Sequence, residues 1–151
     1  MFKIYLDRLQ NDSVQKIELT ADPAFLEIAE EELRFEEPIS ISGEANLASD
    51  YLIIRLNIKT SCREICRICN TLAKREILLK NVCFSIDCAE IKGAVFDFSP
   101  LVKEAILLDV PAYYECNFGN CKERRNIEQF IKKPAKENTY FPFSNLKSSG
   151  D

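Results

Sequence analysis

The chain of 151 residues contains no histidine. That removes the commonest general base, the Ser–His and Cys–His nucleophile pairs, and every zinc site that mixes cysteine with histidine. Glycine is scarce, with four residues at positions 43, 93, 119 and 150. None falls in a G-x4-G-K pattern, so a phosphate-cradling loop is excluded. No apolar run approaches the roughly 20 residues that span a bilayer as a helix. The opening "MFKIYLDRLQND" has neither a long apolar stretch nor a small-residue cleavage motif, so no export signal is expected and the cytoplasm is the default.

What is present is cysteine, seven residues in all. An odd number in a chain without an export signal is a poor disulfide framework. With histidine missing, the only soft-ligand metal site open to the chain is built from cysteine alone. The chain is 46% hydrophobic and 29% charged, the balance of a soluble globular domain with one core.

The net charge of −4 is unevenly spread. From Asp22 to Glu44 eight acids face one base, a balance of −7, whereas from Lys122 to Lys136 six bases face two acids, a balance of +4. The overall acidity argues against nonspecific coating of nucleic acid, and the C-terminal run leaves room for a local basic contact. Both runs read first as solvated surface.

Hydropathy alternation sets the fold class. Phe2, Ile4 and Leu6 alternate with Lys3, Tyr5 and Asp7, a strand pattern, and "VQKIEL" continues it after the turn residues Asn11–Ser13. Asp22 and Pro23 read as N-cap and first residue of a helix of about two turns. Residues 39–47 and 52–58 alternate cleanly and predict an antiparallel hairpin with one buried face. Parity carries Thr60 and Cys62 onto that face. A strand is expected over Lys74–Ile86, with a bulge where the parity slips between Leu79 and Val82. A short strand in "GAVFDF" precedes a helix with Ser99 as cap, Pro100 at its start and Pro111 after its end. The expected fold is α+β: a mostly antiparallel sheet or open barrel with one or two short helices. Residues 1–125 form one domain, and 126–151 a basic, flexible tail.

Three cysteines crowd into "TSCREICRICNTL". Cys62, Cys66 and Cys69 spell C-x3-C-x2-C, the spacing of an iron–sulfur site in radical enzymes. That chemistry needs a large enclosing barrel and a cofactor-holding glycine-rich segment, and this chain has neither; a ferredoxin-type cluster lacks its fourth nearby cysteine. Cys66-x2-Cys69 instead reads as half of a zinc site. Cys116-x4-Cys121, with Gly119 inside, is the other close pair in a turn-like context. Together Cys66, Cys69, Cys116 and Cys121 would form a structural zinc tetrahedron. The alternative is four partly buried free thiols. Cys83 and Cys88 read as packing residues, and Cys62 as a packing residue or as the entrance to the knuckle. No catalytic constellation remains, so a non-enzymatic protein is expected.

The order of these features resembles the YceD family, the large ribosomal RNA subunit accumulation proteins. The resemblance rests on the knuckle Cys66-Arg67-Ile68-Cys69 after a strand and on Asp97, Phe98, Ser99, Val102, Glu104, Ile106, Leu107, Leu108 and Pro111. It covers roughly residues 35–125, and its most specific part is the helix-to-proline stretch. It implies a role in accumulation or processing of large-subunit (23S) ribosomal RNA, through precursor RNA or a large-subunit ribosomal protein. No membrane and no small-molecule substrate are expected. The residues expected to meet RNA phosphate are Lys122, Arg124, Arg125, Lys132 and Lys133, with Phe130 and Tyr140 for stacking. A zinc-stabilised interaction module with an unrelated partner is the alternative.

Overall fold

The computed structural model describes residues 1–130. Lys132, Lys133 and Tyr140, and most of the expected tail, lie outside the described residues. The fold is α+β and mostly antiparallel, as the alternation predicts, and its main sheet is not closed.

The hairpin forms where the apolar parity is cleanest. Strand β4 (Ile39–Ala48) turns at Ser49–Asp50 into β5 (Tyr51–Ile65), which turns again into β6 (Leu72–Asp87). Ile39, Ile41 and Ala45 on β4 and Leu52, Ile54, Leu56 and Ile58 on β5 are buried. Burial of each of these isoleucine and leucine side chains contributes about 1.5–3 kcal/mol before entropy is counted. The same parity runs on through Thr60 and Cys62. Gly43 sits at a close approach of β4 to β5, since a Cβ there would stand 2.0 Å from the Arg55 carbonyl oxygen.

Strand β2 (Val14–Ala21) pairs with the outer edge of β4. β6 runs along one edge of β5 over nearly its whole length. The opposite edge is shared by β4 and the two-residue β3 (Leu33–Arg34). The parity slip is a bulge: Leu56 opposes Val82 and Ile58 opposes Leu79, so Lys80 and Asn81 share the place opposite Asn57. Asn81 takes a positive φ of 54° there. Its N–H donates to Asn57 Oδ1 at 2.8 Å. Strands β1 (Lys3–Tyr5) and β7 (Val95–Asp97) make a separate two-stranded ribbon. Helix α1 (Ser99–Asp109) follows, with Val102 and Ile106 buried. A short helix occupies Arg124–Glu128, across the expected domain boundary.

Three local expectations are corrected. The first strand stops at Tyr5, and Leu6–Leu9 coil into a 3-10 turn that buries Leu9. The helix expected after Asp22 is a single 3-10 turn, Pro23–Leu26; Asp22 does cap it, but Glu27 turns left-handed and stops it. Ser99 does not cap α1. Phe98 takes the N-cap position without a side-chain bond, and Asp97 just before it accepts from the Ser99 N–H through Oδ1 at 2.9 Å.

The acidic run is largely tied down rather than simply solvated. Glu27 pairs with Lys103, Glu32 with Arg67, Glu36 with Arg63, Glu37 with Lys74 and Glu44 with Arg55. Each such surface pair is worth about 0–1 kcal/mol. The pairs of Glu32, Glu36 and Glu37 strap the irregular acidic segment to β5, β6 and their connection, which explains why it needs no helix of its own.

Candidate metal centre

The β5–β6 connection is a tight knuckle. The Cys66 N–H donates to the Thr71 carbonyl at 2.9 Å, and the Asn70 N–H to the Cys66 carbonyl at 2.8 Å. Asn70 adopts φ 57°, a left-handed conformation that asparagine tolerates. The turn holds the sulfurs of Cys66 and Cys69 on one side.

The second pair arrives from the far end of α1. Val110 and Pro111 leave the helix and carry the chain back to the knuckle, where the Arg67 N–H donates to the Tyr114 carbonyl at 2.9 Å. The Cys116 N–H then points at Cys66 Sγ, 3.3 Å away. Asn117 (φ 55°), Phe118 (φ 54°) and Gly119 (φ 83°) are left-handed in succession. Asn117 Nδ2 donates to the Asn120 carbonyl at 3.0 Å and closes the turn, which returns the chain to Cys121.

The four sulfurs of Cys66, Cys69, Cys116 and Cys121 all lie within 4.8 Å of one another. Cys69 Sγ and Cys116 Sγ are 3.8 Å apart. A tetrahedral metal with bonds of about 2.3 Å to sulfur needs edges of about 3.8 Å. Cys66 and Cys121 are buried, and Cys69 and Cys116 partly so. The donor set and its dimensions fit a metal held by four thiolates, and these are the four cysteines the spacing pairs. Cys62 lies in the core, Cys88 packs against it, and Cys83 is exposed, so its expected packing role is not met.

The thiols are prepared unequally for ionisation. Burial opposes charge on Cys66, but the backbone N–H groups of Cys116, Cys69 and Ile68 outweigh it and bring the thiol down to about 6. The Thr71 hydroxyl and N–H lower Cys69. The neighbouring Cys121 thiol, with burial, pushes Cys116 up to about 12, and burial raises Cys121. Ionisation is therefore favoured on the first pair and opposed on the second. Four thiolates so close together need a cation among them.

Beneath the second pair sits a carboxylate that spacing does not reveal. Glu115 is buried. Its Oε1 accepts from the Cys121 N–H at 3.0 Å and from Arg124 Nε at 2.9 Å, and its Oε2 from Arg124 Nη2 at 2.6 Å. The Arg124 guanidinium, then the Cys121 N–H, hold this carboxyl down at about 2. Arg124, expected to meet RNA, is thus engaged inside the protein by its bidentate pair, although its side chain is still 46% exposed. Lys122 and Arg125 are exposed beside it. With Asn120, Arg124 and Glu128 they line an open groove of about 470 Å³. Phe118, at the tip of the left-handed turn, is 101% exposed.

No family model, curated protein or solved structure matches this chain. Among the described residues, no helix is long and apolar enough to cross a membrane.

Proposed function

We propose that this protein is a non-enzymatic ribosome-biogenesis factor that supports accumulation of large-subunit ribosomal RNA, and that its four-cysteine centre is a structural zinc site. The observation that carries the functional reading is the stretch from Asp97 to Pro111, the residues on which the resemblance to the YceD family rests. These residues form the end of β7, helix α1 and the return to Cys116. The zinc reading follows from the ligand set: sulfur-only, tetrahedral in dimension and stabilised by N–H donors. A zinc ion there would supply a cross-link and no reaction. Cys66 and Cys69 would anchor it to the sheet, and Cys116 and Cys121 would bring residues 110–128 to the same place.

The exposed cations Lys122 and Arg125 beside the centre favour a phosphate-bearing partner, with Phe118 nearby as a stacking surface. Crosslinking the tagged protein to RNA in cells and sequencing what it holds tests the reading. Enrichment of precursor large-subunit RNA is the expected result. Recovery of neither that RNA nor a large-subunit ribosomal protein, with unchanged 23S RNA on depletion, overturns it.

A further inference from the structure

Strand β6 pairs only with β5, so its other edge offers a long row of unpaired backbone groups. Natural edges are blunted by charged side chains, prolines, bulges or covering segments. This one carries charges and a bulge, but its charges stand in a self-complementary order. On the face turned away from the core, Glu76, Leu78 and Lys80 follow one another at alternate positions, all exposed. Leu78 is 55% exposed. On that face Lys74, Arg55 and Arg63 each have an ion-pair partner, whereas among the described residues Lys59, opposite Leu78 on β5, has none. Among the described residues, Glu76 and Lys80 have none.

We infer that the β6 edge is a self-association surface, pairing antiparallel with the β6 edge of a second copy about a two-fold axis at Leu78. Antiparallel pairing about that point sets Leu78 opposite its own counterpart. The same register sets Glu76 opposite the partner copy's Lys80, and Lys80 opposite its Glu76. A two-fold axis perpendicular to the sheet keeps both outer faces on the same side, so the pairs meet side chain to side chain. The bulge at Lys80 and Asn81 ends the matched segment. On the core-side face a groove of about 480 Å³ adjoins β6, lined mainly by Leu79, Val82, Phe84, Ala105 and Leu108 and also by the carboxylates Glu104 and Asp109. Leu108 is 78% exposed. The groove lies between β6 and α1, and a second copy paired on the β6 edge would border it.

The test is the oligomeric state of the purified, metal-loaded protein across a micromolar concentration series, by sedimentation equilibrium. The wild-type chain is expected to dimerise. Lys80→Glu faces acid with acid twice across the axis and weakens the dimer about tenfold or more. Leu78→Asp does the same at the axis. The double variant Glu76→Lys with Lys80→Glu restores the pairing with its signs exchanged. All these side chains are exposed, and an unchanged thermal unfolding curve for each monomer separates loss of association from loss of fold. A monomeric wild-type protein at every concentration overturns the inference. So does a dimer indifferent to Lys80→Glu, or one that the double variant fails to restore.

Discussion

The two cysteine knuckles place equivalent sulfurs, yet they are held by different means. The first closes a hairpin of fifteen- and sixteen-residue strands, and two backbone hydrogen bonds shape its turn. It would persist without a metal. The second follows a helix end and has no ladder around it. It rests on the Tyr114–Arg67 and Cys116–Cys66 contacts, the Glu115–Arg124 pair and three successive left-handed residues. Left-handed backbone costs roughly 1–2 kcal/mol at a residue such as Phe118. One knuckle is preformed and the other is recruited, so a metal bound there would stabilise the second far more than the first.

Loss of a ligand should break this asymmetry most severely. Cys121→Ser is expected to lose the metal and to expose residues 112–128 to protease while β4, β5 and β6 stay protected. Limited proteolysis read by mass spectrometry distinguishes this from global unfolding. The next largest effect is expected for Glu115→Gln, which takes the charge from the group orienting Cys121. Removing such an outer partner lowers metal affinity by roughly 10–100-fold; competition with a chelating dye measures it.

The same carboxylate gives a pH signature. Its folded pKa, about 2, lies below the ordinary carboxylate value of 4.5. Its contribution is therefore complete above the unfolded value and is lost as pH falls from there toward 2. The Glu115→Gln variant should lose that part of the acid dependence, which acid titration of stability followed by circular dichroism would reveal.

Phe118→Gly sharpens the comparison from the other side. Relief of the left-handed strain should raise the stability of the second knuckle by about 0.5–1 kcal/mol, read in thermal unfolding. If the same change weakens RNA crosslinking, the phenylalanine is retained for contact and not for folding. The smallest effect is expected at the acidic strap: Glu36→Gln removes one exposed pair with Arg63 and should cost less than about 1 kcal/mol by urea denaturation.

The parts of this protein legible in its sequence are those governed by local period. Alternation through Ile39–Ile58 defines β4 and β5, and the slip after Leu79 marks the bulge, because one buried face fixes both. The cysteine set was legible for a different reason: with no histidine, two close pairs leave few ways to complete a sulfur tetrahedron. What local pattern misses depends on distant partners. The glutamates after Pro23 suit a helix, but their partners Arg63, Arg67 and Lys74 lie on or next to β5 and β6 and draw the segment out across the sheet. Glu115 meets Arg124 only because a left-handed turn intervenes, and Asn117-Phe118-Gly119 announces that turn weakly. The same pair gives Arg124 an internal role that a basic run alone does not suggest.

The central claim is that a metal clamps a recruited segment to a preformed sheet. Hydrogen exchange with and without a strong chelator, on protein whose metal content is measured in the same sample, tests it most directly. The account predicts one zinc per chain, and on its removal rapid exchange confined to residues 110–128 with β4–β6 still protected. Absence of bound metal, or simultaneous loss of protection in the sheet and the second knuckle, would contradict it.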